Sequence, residues 1–142
     1  MRALSIFLAI VIAALFALQG WLVFHSQYFE AWQIDRYMHL AAGAVSALVM
    51  GIAIFSERSL AGARGLPWWA LLLVCVSFAA LAGVVWELYE FAWDTFVAAP
   101  YSADIAQPNI QDTMEDLIFD LVGALAAGIL FVWNVRARPR AA

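Results

Sequence analysis

The chain has 142 residues, 66% of them hydrophobic and 13% charged, with a mean hydropathy of +0.87 and a formal net charge of −4. Soluble domains carry about 25% charged residues, so the composition excludes an ordinary water-soluble domain and leaves an integral membrane protein built almost wholly of its spans. With no basic patch or arginine-rich stretch, nucleic acid is excluded as a partner, and the expected partner is the lipid bilayer.

Ala3 to Phe24 is an apolar run of spanning length preceded by Arg2. Ala17-Leu18-Gln19 is a poor signal-peptidase site, and the run continues past it to Trp21 and Phe24, so the reading is an uncleaved first helix over 3–24. Gln27 to Ile34 mixes Tyr28, Phe29 and Trp32 with polar residues and suits the membrane interface. A second helix is expected over 35–55. Ser56 to Pro67 reads as a short polar connection, and a third helix over 67–96 starts on a proline that suits a first turn. Ala98 to Gln111, with Pro100 and Pro108, reads as a loop before a fourth helix over 112–135 and a basic tail of Arg136, Arg138 and Arg140. His25 follows the first run and reads as interfacial. Cys75, the single cysteine, allows no intramolecular disulfide and reads as a small buried apolar residue.

Arginine placement orients these spans. With the N-terminus in the cytoplasm, Arg2, Arg58, Arg64, Arg136, Arg138 and Arg140 all fall inside, and only Arg36 falls outside. The expected fold is therefore an all-α integral membrane protein, a single antiparallel four-transmembrane-helix bundle over 1–142 with both termini cytoplasmic. The acids map oppositely. Of eleven, only Glu57 falls inside; the rest belong to the outer half.

Those acids recur at helical spacing. Asp112, Asp116 and Asp120 are four apart and share one face. Glu87, Glu90 and Asp94 follow the i, i+3, i+7 pattern, and Asp35 and His39 are one turn apart. A carboxylate at the centre of a lipid-facing helix costs roughly 2.5–3.5 kcal/mol even on the gentler insertion scale, so these stripes are expected to face one another. Small residues extend each stripe: Gly43 and Ser46, Ala80 and Gly83, Gly123 and Ala127. Glu115 lies off the stripe and reads as a solvated or headgroup-facing charge. Asp35 and Asp112 also suit helix N-termini as caps and dipole partners.

So many carboxylates beside one histidine and one arginine must retain protons or bind a cation. The expected cofactor is a divalent metal cation of unspecified identity, held by His39, Glu87, Asp116 and Asp120 with Asp35 and Glu90 behind them. Asp35 would orient His39, and Glu90 or Asp94 would act as a base, giving Asp35, Glu90 and Asp94 the catalytic roles. No phosphate-binding loop, HExxH or cysteine-based metal motif is present, and the paired ExxH motifs of a di-iron bundle are missing.

Asp35-x3-His39, Trp86-Glu87-x2-Glu90-x3-Asp94 and Asp112-Thr113-x2-Asp116-x3-Asp120-x2-Gly123 together resemble the signature of the YjdF-like bacterial inner-membrane proteins. More distantly, their order resembles the VanZ-like family, over about Asp35 to Ala127. The chain departs from the VanZ-like pattern at Arg36, where lysine is usual, at Asp120, where asparagine is usual, and in having no Arg or Lys between Arg64 and Arg136. The resemblance implies a multi-pass protein of the bacterial inner membrane.

The leading functional expectation is a metal site at the outer leaflet that binds or acts on a lipid or cell-envelope amphiphile. A proton or cation transporter is the first alternative, although almost nothing ionisable lies between the acidic stripes and the cytoplasmic face. An accessory or assembly subunit of a larger membrane complex is the second. A homo- or hetero-oligomer is compatible with all three.

Overall fold

In the computed structural model, which describes residues 2–24, 32–56 and 66–137, the regular secondary structure of the described residues is all helical. Helix α1 covers Arg2–Phe24, α2 Trp32–Ser56, α3 Trp68–Trp93 and α4 Ile110–Ala137. The interfacial stretch from His25, the polar connection with Arg58 and Arg64, and Arg138 and Arg140 lie outside the described residues. Segments Ile34–Ile54, Trp68–Tyr101 and Ile110–Arg136 are each long and apolar enough to cross a membrane, whereas the apolar stretch measured in α1 is the shorter Ala9–Trp21.

The helices pack through their small residues. A Cβ added to Gly43 would collide with the backbone carbonyl of Asp120, and one added to Gly123 with that of Leu40. Helices α2 and α4 therefore touch backbone to backbone at two points one turn apart. Further along, Gly51 meets the Phe131 ring, so the two helices run in the same direction. Helix α3 runs against both: Gly83 lies on Asp120 and Leu72 on Gly128, and Arg136 donates to the Leu66 carbonyl at 3.5 Å. Because lipid tails are as apolar as leucine, such close approaches and buried polar bonds, rather than a hydrophobic drive, hold spans together. The half of the bundle around Leu66 and Arg136 is apolar, filled by Ala47, Ile54, Leu71, Cys75, Ala79, Ala124 and Val132. Cys75 is indeed fully buried there.

Helix α3 is longer than its hydropathy pattern predicts. It continues past Trp93 through a π turn (Asp94–Ala98) and a last turn (Ala99–Tyr101), and stops where Ser102 takes a left-handed φ of 53°. Pro100, read from sequence as loop, lies instead in that last turn, directly before its final residue Tyr101. Helix α4 starts two residues before Asp112. Its cap is Asn109, whose Oδ1 accepts the N–H groups of Gln111 (2.9 Å) and Asp112 (3.2 Å). Asp112 is thus a first-turn acid that favours the helix dipole, not the cap.

Candidate metal and polar site between α2, α3 and α4

The three acidic stripes meet. Asp35 and His39 from α2, Glu87 and Glu90 from α3, and Asp116 and Asp120 from α4 are all buried. Asp116 and Glu90 are each 1% exposed, which places a pair of carboxyl groups among the largest fully buried side chains of the bundle. Burying a charged group without a partner is costly enough that its partners define the site.

His39 is the hub. Its Nδ1 lies 3.2 Å from Asp120 Oδ2, and its Nε2 lies 3.8 Å from Glu87 Oε1. A proton on Nδ1 donated to Asp120 fixes the tautomer and turns the Nε2 lone pair toward α3, the arrangement by which a carboxylate orients a ligating imidazole. Gly83 makes this possible, since a Cβ there would occupy the position of Asp120 Oδ2.

Two triads share His39. Asp35, His39 and Asp116 each offer a ligand atom, all within 4.8 Å of one another, and so do His39, Glu87 and Glu90. Two ligands on one ion are separated by at most about twice the metal–ligand distance, roughly 4–5 Å for ions bound at 2.0–2.5 Å. Either triad is therefore within a small side-chain adjustment of closing on a cation. Each also holds an unmatched oxygen: Asp116 Oδ1 and Glu87 Oε1 are buried and have no hydrogen-bond partner. The expected ligand Asp120 stands apart from both triads as the residue that holds His39, whereas Asp35 and Glu90, expected behind the ligands, fall inside them.

Two glutamines complete the polar network. Gln107, from the loop before α4, donates Nε2 to Glu87 Oε2 (2.6 Å) and to the Glu87 carbonyl (3.1 Å). Gln19 of α1 donates to Glu90 Oε1 at 3.4 Å, an oxygen that also accepts Trp86 Nε1 at 2.9 Å. Nothing in the sequence around Gln107 marks it. Gln19 did carry a signal, as an amide isolated inside an apolar helix, which needs a partner in hydrocarbon.

Asp94 is engaged otherwise. Its two oxygens accept the N–H groups of Ala106 (2.6 Å) and Gln107 (2.8 Å), and Trp93 Nε1 reaches the Asp104 carbonyl at 3.3 Å. The π turn aims this carboxylate at the loop, and the loop in turn carries Gln107 to Glu87. Hydrogen bonds to a charged group contribute about 1.5–3 kcal/mol each, so Asp94→Ala is expected to destabilise the protein by at least about 2 kcal/mol. Thermal unfolding in detergent checks this, and chemistry at Asp94 would instead leave the melting temperature unmoved. Glu115, read as a solvated or headgroup-facing charge, pairs with Arg36 across α2 and α4, both side chains remaining partly exposed.

These features define a helical membrane protein with a buried carboxylate–histidine cluster at one end of three packed spans. Comparison with known families gives it a place: the chain belongs to DUF2238, described as a predicted membrane protein family, whose sequence model matches residues 1–137. This is the YjdF family that the spaced motifs resemble. No curated protein and no solved structure matches the chain.

Proposed function

We propose that this protein is a four-spanning protein of the bacterial inner membrane, with both termini in the cytoplasm, that holds a divalent cation at His39 and uses it to bind or act on a lipid or cell-envelope amphiphile. The carrying observation is Asp116, a carboxylate 1% exposed with one oxygen lacking any hydrogen-bond partner, within 4.8 Å of donor atoms on His39 and Asp35. His39 is the shared ligand, with Asp35 and Asp116 on one side and Glu87 and Glu90 on the other. Asp120 holds the imidazole. A cation in this position would polarise a phosphoryl or acyl oxygen or activate a water.

Arg136, in the last turn of α4 and hydrogen-bonded to Leu66, lies at the end of the bundle remote from the cluster. Together with the arginine distribution in sequence, this supports a cluster near the outer leaflet. The apolar packing below Asp120 speaks against a transport path, since the core cluster there offers a proton or cation no charged side chain.

Elemental analysis of wild type and an Asp116→Asn/Asp120→Asn variant, purified without chelator, tests the reading. Near-stoichiometric metal in wild type, lost in the variant, is expected. Metal-free protein in both cases would sink it and leave the accessory-subunit reading in front.

A further inference from the structure

A cavity of about 400 Å³ lies between α1, α2 and α3. Its walls are apolar, with Leu15, Ala42, Val45 and Ala82 among them, but one end is formed by Asp35, His39, Asp120 and Gln19. The cavity and the polar cluster are therefore continuous, and Asp120 and His39 belong to both.

Phe16, Phe78 and Val85 line the cavity while remaining 60%, 39% and 58% exposed. Phe78 and Val85 sit within a membrane-spanning segment, where the surroundings are hydrocarbon. The mouth thus opens sideways to lipid, and what enters must already be dissolved in the bilayer. Trp86 closes the polar end of the wall, its ring edge-on to Phe16 at 5.7 Å and its N–H on Glu90.

Size and charge then narrow the occupant. A methylene takes up roughly the volume of a water molecule, about 30 Å³, so the cavity accommodates one chain of about a dozen carbons and not two. No lysine or arginine is among the lining residues. A phosphate alone would meet two carboxylates, one imidazole and the Gln19 amide there, and no lysine or arginine to neutralise it. An ammonium group would meet Asp35 and Asp120, in a cluster that already holds two buried carboxylate oxygens without a hydrogen-bond partner, Asp116 Oδ1 and Glu87 Oε1. His39 lies five residues inside the start of its span at Ile34, about 7.5 Å along the axis at 1.5 Å per residue, a depth that suits the boundary between headgroup and chain.

We infer that the cavity takes one acyl chain of a membrane lipid whose headgroup carries a primary ammonium, delivering that headgroup to the Asp35–His39–Asp120 end. This deepens the reading of the same cluster as a cation site, and the experiment separates the two. Native mass spectrometry of the full chain in a neutral detergent would measure capture of twelve-carbon lysophosphatidylethanolamine against twelve-carbon lysophosphatidylglycerol. Metal content would be measured on the same samples. The ethanolamine lipid is expected to bind at least about tenfold more tightly. Ala82→Phe and Ala42→Phe, which fill the chain space from α3 and from α2, should each cut capture of both lipids by a similar factor and leave metal content unchanged.

Equal affinity for the two headgroups, or full capture by both phenylalanine variants, overturns the inference. Selective capture by a metal-free wild type upholds the lipid site while the cation reading fails. Bound metal without selective capture does the reverse.

Discussion

Gly123→Ala is expected to lower stability by about 3 kcal/mol or more, the upper end of what overpacking a core costs. The added methyl would land on the Leu40 carbonyl, a backbone atom that cannot rotate away, so α2 and α4 must separate. Gly43→Ala meets the Asp120 carbonyl in the same way and should cost a similar amount. Gly51→Ala meets the Phe131 ring, a side chain with room to turn, and should cost less. Gly20 supplies the control: a Cβ there meets nothing within 4 Å, so Gly20→Ala should be neutral or stabilising by about 0.5–1 kcal/mol through helix propensity. Unfolding of the four variants in one detergent gives the order directly. If Gly123→Ala melted with Gly20→Ala, the two helices could not approach as closely as described.

Gly83→Ala has a narrower consequence. Its Cβ would take the place of Asp120 Oδ2, the oxygen that meets His39, and so would disturb the site while leaving the α2–α4 contact alone. Loss of metal with a small change in melting temperature is the expected result, read by elemental analysis and thermal unfolding of one preparation.

The meeting of the three stripes was legible because a carboxylate in hydrocarbon has few tolerable surroundings. Periodicity put Asp116 and Asp120 on one face, and the depth of Glu87 left it little choice but to face them. Gly43, Gly83 and Gly123 were legible for the same reason, since only small residues let spans close around such a cluster. What periodicity could not supply was the division of labour. Asp120 and Asp116 look alike in sequence, but Gly83 leaves space for Asp120 Oδ2 against His39, while Asp116 Oδ1 has no hydrogen-bond partner. That difference arises from the packing of α3 on α4. Gln107 and the loop-holding role of Asp94 were hidden likewise, because a π turn changes where a side chain points without changing the hydropathy pattern. Even the helix ends depended on single side chains, as Asn109 rather than Asp112 caps α4.

Divalent cation is expected to raise the melting temperature of wild type, and this separates the proposed centre from a merely structural polar network. A ligand that binds only the folded state stabilises it by RT ln(1 + [L]/Kd), about 2.7 kcal/mol at a hundredfold excess over Kd. Asp116→Asn keeps the shape of the side chain but removes the charge, at a carboxylate with an oxygen bonded to nothing in the bundle, so it should abolish most of the shift. Asp120→Asn still offers His39 Nδ1 an acceptor, and the loss of an orienting carboxylate typically costs 10–100-fold in metal affinity, so a shift should survive at higher cation concentration. Glu115→Gln removes an acid of the same helix that pairs with Arg36 outside both triads, and the full shift should remain. Nonspecific screening of a net-acidic surface would move Glu115→Gln and Asp116→Asn together. A shift confined to the His39 triads requires an ion bound among their donors, because Asp116 is too deeply buried to feel a diffuse counterion atmosphere in the way Glu115 does.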